Sequence, residues 1–212
     1  MNRFYILLTF LFCAFSTFGQ QLSNFTQYRE NMTTINPAAV GSNYLGYGQN
    51  LTFGGTYRAQ WVGLDNAPIT AVVRGDYLNA EGRGVSLLAG GYLMHDETGP
   101  TGFTGAYGRI GGVISDDPYF GGIALGLSFG LVQYRVDVSE IRLRDPGDIL
   151  GSENQNQFYP DVGFGIFAYQ QMNGGALDGD YIYGGVSVPQ LIGLDLNFKN
   201  PDGEFSVKRK AH

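Results

Sequence analysis

From Asn50 onward, apolar and polar residues alternate one for one, in stretches separated by turn residues. The clearest stretch runs to Trp61. Leu51, Phe53, Gly55, Tyr57, Ala59 and Trp61 fall on one side, and Asn50, Thr52, Gly54, Thr56, Arg58 and Gln60 on the other. Side chains point to opposite faces of a strand at each step, so a period of 2 predicts a strand with one apolar and one polar face. Soluble strands usually have about five or six residues, whereas a tilted membrane strand needs roughly 9–11. The stretch from Asn50 to Trp61 has the longer length.

The unit recurs. Ile69 to Leu78 alternates again, and Val85 to Met94 is apolar on both faces, so its inward side stays open. Phe103 to Ile114 sets Ala106, Gly108, Ile110 and Gly112 against Tyr107 and Arg109. In Tyr119 to Arg135, the large residues Ile123, Leu125, Leu127, Phe129 and Leu131 are backed by Gly122, Ala124, Gly126, Ser128 and Gly130. A soluble core strand would carry charge on its outer face; this pattern suits a wall facing lipid. Phe158 to Tyr169 and Asp180 to Val188 complete seven predicted strands. Val62 to Pro68, Asp96 to Gly102 and Val136 to Gln157 read as Pro-bearing loops that alternate with shorter turns. Short turns on one side and longer loops on the other are the habit of outer-membrane barrels, with the longer set facing outward.

The fold class is therefore all-β: an antiparallel transmembrane outer-membrane β-barrel, incomplete at its C-terminus. Single-chain bacterial barrels have an even number of strands, and an open edge in lipid leaves backbone groups unsatisfied. A seven-strand reading that ends on KNPDGEFSVKRKAH fits either a fragment of a longer protein, the preferred reading, or a barrel that closes by oligomerisation. Residues 45–212 form that domain and 1–19 a signal peptide, with Arg3 ahead of an uncharged run and small residues before Gln20. Residues 20–44 lack any sustained period and form a periplasmic or lumen-associated segment. A secreted β-sandwich has the same alternation, but the long face from Ile123 to Leu131 tells against it.

Composition narrows the chemistry. The net charge of −6 and the predicted export give no basic face for nucleic acid. The one cysteine, Cys13, lies in the predicted signal, which excludes disulfide, thiolate and Cys-metal chemistry from the mature chain. Glycine makes up 33 of 212 residues without a three-residue period, and aromatics are plentiful. That pairing suits strands whose small residues relieve crowding. His95 beside Asp96 and Glu97 lacks the second ligand or nucleophile that a metal or catalytic site needs, and reads as solvated loop. Asp116-Asp117, Asp145/Asp148 and Asp178/Asp180 lack calcium-loop spacing and read as turn chemistry. No cofactor, metal or catalytic residue is expected.

Four charged residues fall opposite the apolar stripe and are lumen-facing candidates: Arg58, Arg74, Asp76 and Arg109. Charges there need partners or water. Trp61 ends its strand as an interfacial aromatic anchor, and Trp61, Val62, Gly63, Leu64 and Asp65 are the candidate partner-contact loop.

A series of motifs then runs the length of the chain. Asn36-Pro37-Ala38-Ala39-Val40-Gly41 follows Gln27-Tyr28; then come Arg58-Ala59-Gln60-Trp61-Val62-Gly63 and Ala67-Pro68-Ile69-Thr70. Gly99-Pro100-Thr101-Gly102, Asp145-Pro146-Gly147-Asp148, Pro160-Asp161-Val162-Gly163-Phe164-Gly165 and Gly185-Val186-Ser187-Val188-Pro189 follow in order. Together they resemble the PorP/SprF family, outer-membrane β-barrels of the type IX secretion and gliding machinery of Bacteroidota. The resemblance implies a non-enzymatic role in secreting or anchoring large cell-surface adhesins. Its implied partners are outer-membrane lipid, other secretion components and the adhesin. The alternative is a passive porin or small-solute channel, which requires an unobstructed lumen. An outer-membrane lipid-modifying enzyme would need a nucleophile–base pair for which no motif is present.

Overall fold

The structure, a computed structural model, describes residues 27–80, 84–137 and 155–192, and the backbone of 195–200 and 203–208. The predicted signal peptide, the Asp145/Asp148 turn and the basic end at 209–212 lie outside the described residues.

Seven antiparallel strands follow one another as a meander: β1 (Leu51–Ala59), β2 (Ile69–Leu78), β3 (Gly84–Thr98), β4 (Thr101–Ser115), β5 (Gly121–Val136), β6 (Gln155–Gln171) and β7 (Tyr181–Val188). The sheet curls into a half-barrel, and its edge strands β1 and β7 do not pair with each other. No described helix is long and apolar enough to cross a membrane, which says nothing about strands. The open question of β3 is settled by its register. Val72 faces Met94 and Arg74 faces Tyr92, which turns Ser86, Leu88, Tyr92 and Met94 inward and Val85, Leu87 and Leu93 outward.

Three sequence expectations need correction. Asp96 to Gly102 is not a loop, because β3 continues to Thr98 and β4 begins at Thr101, with Thr98 facing Thr101. The connection is Gly99-Pro100 alone. Gly99 has φ +55, and proline holds its own φ near −65°, which is the sign pattern of a type II′ hairpin turn. The expected alternation of long and short connections therefore fails at this hairpin, and His95 sits within a strand. The first strand is also shorter than its periodicity, running only Leu51–Ala59: Gln60 still donates its amide to the Pro68 carbonyl in register with β2, but proline has no amide hydrogen to return and the ladder stops there. Finally, two more strands exist, β8 (Asp195–Asn200) and β9 (Gly203–Lys208), paired only with each other.

The outer face of the sheet is apolar over several successive rows. Ile123 to Leu131 on β5 spans about 27 Å along the strand. At a tilt of roughly 40°, with side-chain width added, that approaches the ~25 Å apolar band of an outer-membrane barrel. Phe129 is 59% and Leu131 66% exposed, so none of the described residues covers them. At one border the same face turns polar, with His95, Thr104, Gln133 and Asn156 on β3 to β6.

Candidate functional site: the covered inner face

The inner face is occupied by the chain itself. Residues 27–48 carry two short helices, α1 (Met32–Ile35) and α2 (Ser42–Tyr47), joined by an irregular turn over Asn36 to Gly41. Proline at 37 has no amide hydrogen to continue α1, and Gly48 closes α2 in the left-handed conformation at φ 66. Helices this short do not hold in isolation; packing on the sheet holds them. Ala38, Ala39, Val40, Tyr44 and Leu45 form one buried cluster with Leu78, Leu88, Val113, Ala124 and Phe167 of the strands. Burial, then the neighbouring Tyr119, raises the Tyr44 hydroxyl above its ordinary pKa, so it stays neutral.

A charge network fastens this segment. Asp76 is at its centre: its Oδ1 lies 2.9 Å from Arg109 Nε, and its Oδ2 accepts from Arg74 Nη1 at 3.2 Å and from the Thr33 hydroxyl at 3.3 Å. Arg74 reaches on to Glu30 at 3.0 Å, and the Ser42 hydroxyl donates to the other Glu30 oxygen at 3.2 Å. Arg109 Nη1 donates to the Pro37 and Ala39 carbonyls at 3.1 and 2.8 Å. Arg74, Asp76 and Arg109 are all buried, where a lone ion would be very unfavourable. Two guanidinium groups against two carboxylates leave the set neutral. The arginine at 109 also resolves a backbone difficulty, since buried carbonyls of an irregular turn need donors.

Asn36-Pro37 sits in a seat made of absent side chains. A Cβ at Gly126 would collide with the Pro37 carbonyl, and one at Gly165 with the Asn36 side-chain oxygen. At Gly185 it would lie 2.8 Å from Asn36 Nδ2. Asn36 Nδ2 donates to the Ile166 carbonyl at 3.0 Å, and its Oδ1 accepts the Ala38 amide at 2.9 Å. Ser187 on β7 donates to the Ile35 carbonyl at 2.9 Å, Tyr92 on β3 to the Thr34 carbonyl at 3.4 Å, and Asn31 bonds Thr56 on β1 at 3.2 Å. The segment thus touches every strand from β1 to β7.

Of the residues singled out in the sequence, Arg74, Asp76 and Arg109 come together in this network. Arg58 lies half-buried on the same face of β1. Glu30, Asn31, Thr33 and Asn36 were not singled out, because they lie in a stretch without period; the one available signal was glycine recurring at inward positions. Trp61, Val62, Gly63, Leu64 and Asp65 take no part in these contacts and lie in the β1–β2 loop (60–68). All five are exposed, with Trp61 at φ 49 and Gly63 at φ 104. A bulky residue in the left-handed region is uncommon. The Leu64 amide to the Trp61 carbonyl, at 3.1 Å, fixes the turn.

The acidic pairs serve turns where they are described: Asp117 accepts the Tyr119 amide at 3.0 Å, and Asp178 the Gly174 amide at 2.7 Å. Among the described residues no group of three or more His, Cys, Asp or Glu is placed to hold a metal ion. His95 meets Thr104 at 2.8 Å and Glu97 at 3.4 Å on the outer face.

No curated protein and no solved structure matches the chain. A family model does, over residues 17–212, described as type IX secretion system membrane protein PorP/SprF. With a curled antiparallel sheet, an outer apolar band and a match over nearly its whole length, the chain belongs to the PorP/SprF family of type IX secretion system membrane proteins.

Proposed function

We propose that this protein is a non-enzymatic, non-conducting outer-membrane scaffold of type IX secretion that helps to secrete or anchor large cell-surface adhesins. The observation that carries the reading is the inner face. A conduit keeps its lumen polar and open, whereas here a segment of the same chain is packed across every strand and bonded to all of them but β5. Signal-directed export brings the chain to the outer membrane, and Arg74, Asp76 and Arg109 act from the lumen side to hold residues 27–48 as a plug. The exposed loop from Trp61 to Asp65 is the contact with another secretion component or the adhesin. Its apolar side chains stand clear of the sheet, and a fixed backbone reduces the ordering cost of binding.

The porin alternative fares worse against the same observation, and two measurements separate them. In planar bilayers the full-length protein gives no stable channel, and in cells its deletion leaves the adhesin unsecreted or unattached. Stable porin-like conductance, with adhesin display intact in the deletion strain, would overturn the scaffold reading.

A further inference from the structure

The outer face carries two neighbouring cavities, the upper on β3 to β5 and the lower spanning β1 to β6. The upper is a polar cleft of about 120 Å³ at the border of the apolar band, lined by His95, Glu97, Thr104, Gln133, Arg135 and Asp137. The lower is an apolar groove of about 690 Å³ within the band. Its floor is Gly91, paired with Gly75 on one side and Gly108 on the other. Phe53 lies over Gly75 and Phe129 over Gly108, so two aromatic rings wall the groove and leave its middle open. Ala106, small and outward-facing, stands between the groove and Thr104 in the cleft.

The geometry points to a bound phosphorylated glycolipid of the outer leaflet, with its sugar–phosphate head in the cleft and one acyl chain in the groove. This rests on the barrel reading above. Arg135 is 60% exposed and holds Asp137 only at 3.5 Å, a weak surface pair. A phosphate would bind the same guanidinium more strongly. Glu97 and Asp137 repel a bare anion but accept from sugar hydroxyls. Thr104 and Gln133 continue the row, and Asn156 on β6, which faces Arg135, extends it diagonally by accepting from Gln133 at 3.0 Å. Four strands at roughly 4.8 Å spacing make a polar row about 14 Å wide, broad enough for a phosphorylated disaccharide and wider than a glycerol headgroup needs.

The test is native mass spectrometry of the full-length protein extracted from outer membranes, then titrated with lipid A, phosphatidylethanolamine or phosphatidylglycerol. Lipid A is expected to be retained in preference to both. Arg135→Ala, which removes the phosphate partner, and Ala106→Phe, which fills the way into the groove, are each expected to weaken it roughly tenfold. Both positions are on the outer surface, and unchanged heat-modifiable gel mobility would show that the variants fold. Equal retention of all three lipids, or wild-type retention by both variants, overturns the site. If the wild-type protein fails to insert into liposomes as a protease-resistant core, the barrel reading itself fails; normal insertion without lipid A preference sinks the lipid site alone.

Discussion

The two faces of one sheet solve opposite problems. On β2, Val73 looks outward to a band that needs only to be apolar, while Arg74 and Asp76 look inward to specific partners on residues 27–48. On β5, Leu125 and Leu127 are exposed, and Gly126 between them is a glycine because Pro37 sits on it. The outer face is specified by hydrophobicity, and many residues would serve. The inner face is specified by complementarity, where the absence of one carbon or the presence of one carboxylate is decisive. Substitution should therefore be tolerated very differently on the two faces of a single strand.

The largest effect is expected from Asp76→Ala. It removes the carboxylate shared by two buried guanidinium groups, leaving Arg109 with carbonyl acceptors alone and Arg74 with Glu30, and breaking a buried ion network of this kind costs about 3–5 kcal/mol. Unfolding in detergent would read it, and a loss below about 1 kcal/mol would mean that water, not Asp76, solvates the arginines. On the outer face the effect should follow depth. Leu127→Arg near mid-band is expected to cost about 2–4 kcal/mol and Gln133→Arg at the border about 0–1. Equal costs would remove the lipid from the account.

Gly126→Val, one residue from Leu127, tests the seat. Overpacking there should cost about 1–3 kcal/mol and release residues 27–48, so limited proteolysis would cut the segment much faster than in wild type while the strands stay protected. A segment equally resistant in the variant would show that Pro37 does not rest there. The smallest stability effect belongs to Trp61→Ala, within about 0.5 kcal/mol as for an exposed side chain. Its expected consequence is loss of co-purifying secretion partners. Retained partners would move the contact elsewhere.

The same division governs what could be read from the sequence. The strands were legible because alternation registers directly in the order of residues, and the inward parity of Arg74, Asp76 and Arg109 came with it. What bonds to those three was not legible. Glu30 and Thr33 lie more than 40 positions away from Arg74 and Asp76, in a stretch with no period. Only the pairing of β5 with β6 and β6 with β7 brings Gly126, Gly165 and Gly185 to one seat. The hairpin at Gly99-Pro100 was misread for a local reason. Asp96, Glu97 and Thr98 are polar on both faces, so alternation fades there although the backbone pairing continues to Thr98. Beyond the apolar band, a strand of this kind no longer needs an apolar side.

The central claim is that residues 27–48 lie across the inner face of the sheet in the membrane. An Asn31→Cys/Thr56→Cys pair tests it most directly, since these side chains meet at 3.2 Å and the only native cysteine is Cys13. Mild oxidation of intact outer membranes, followed by peptide mass spectrometry, would read the link, with Thr104→Cys/Gln133→Cys on neighbouring strands as the control. The account predicts efficient cross-linking of both pairs. Cross-linking of the control alone would place the segment outside the barrel and contradict the plug.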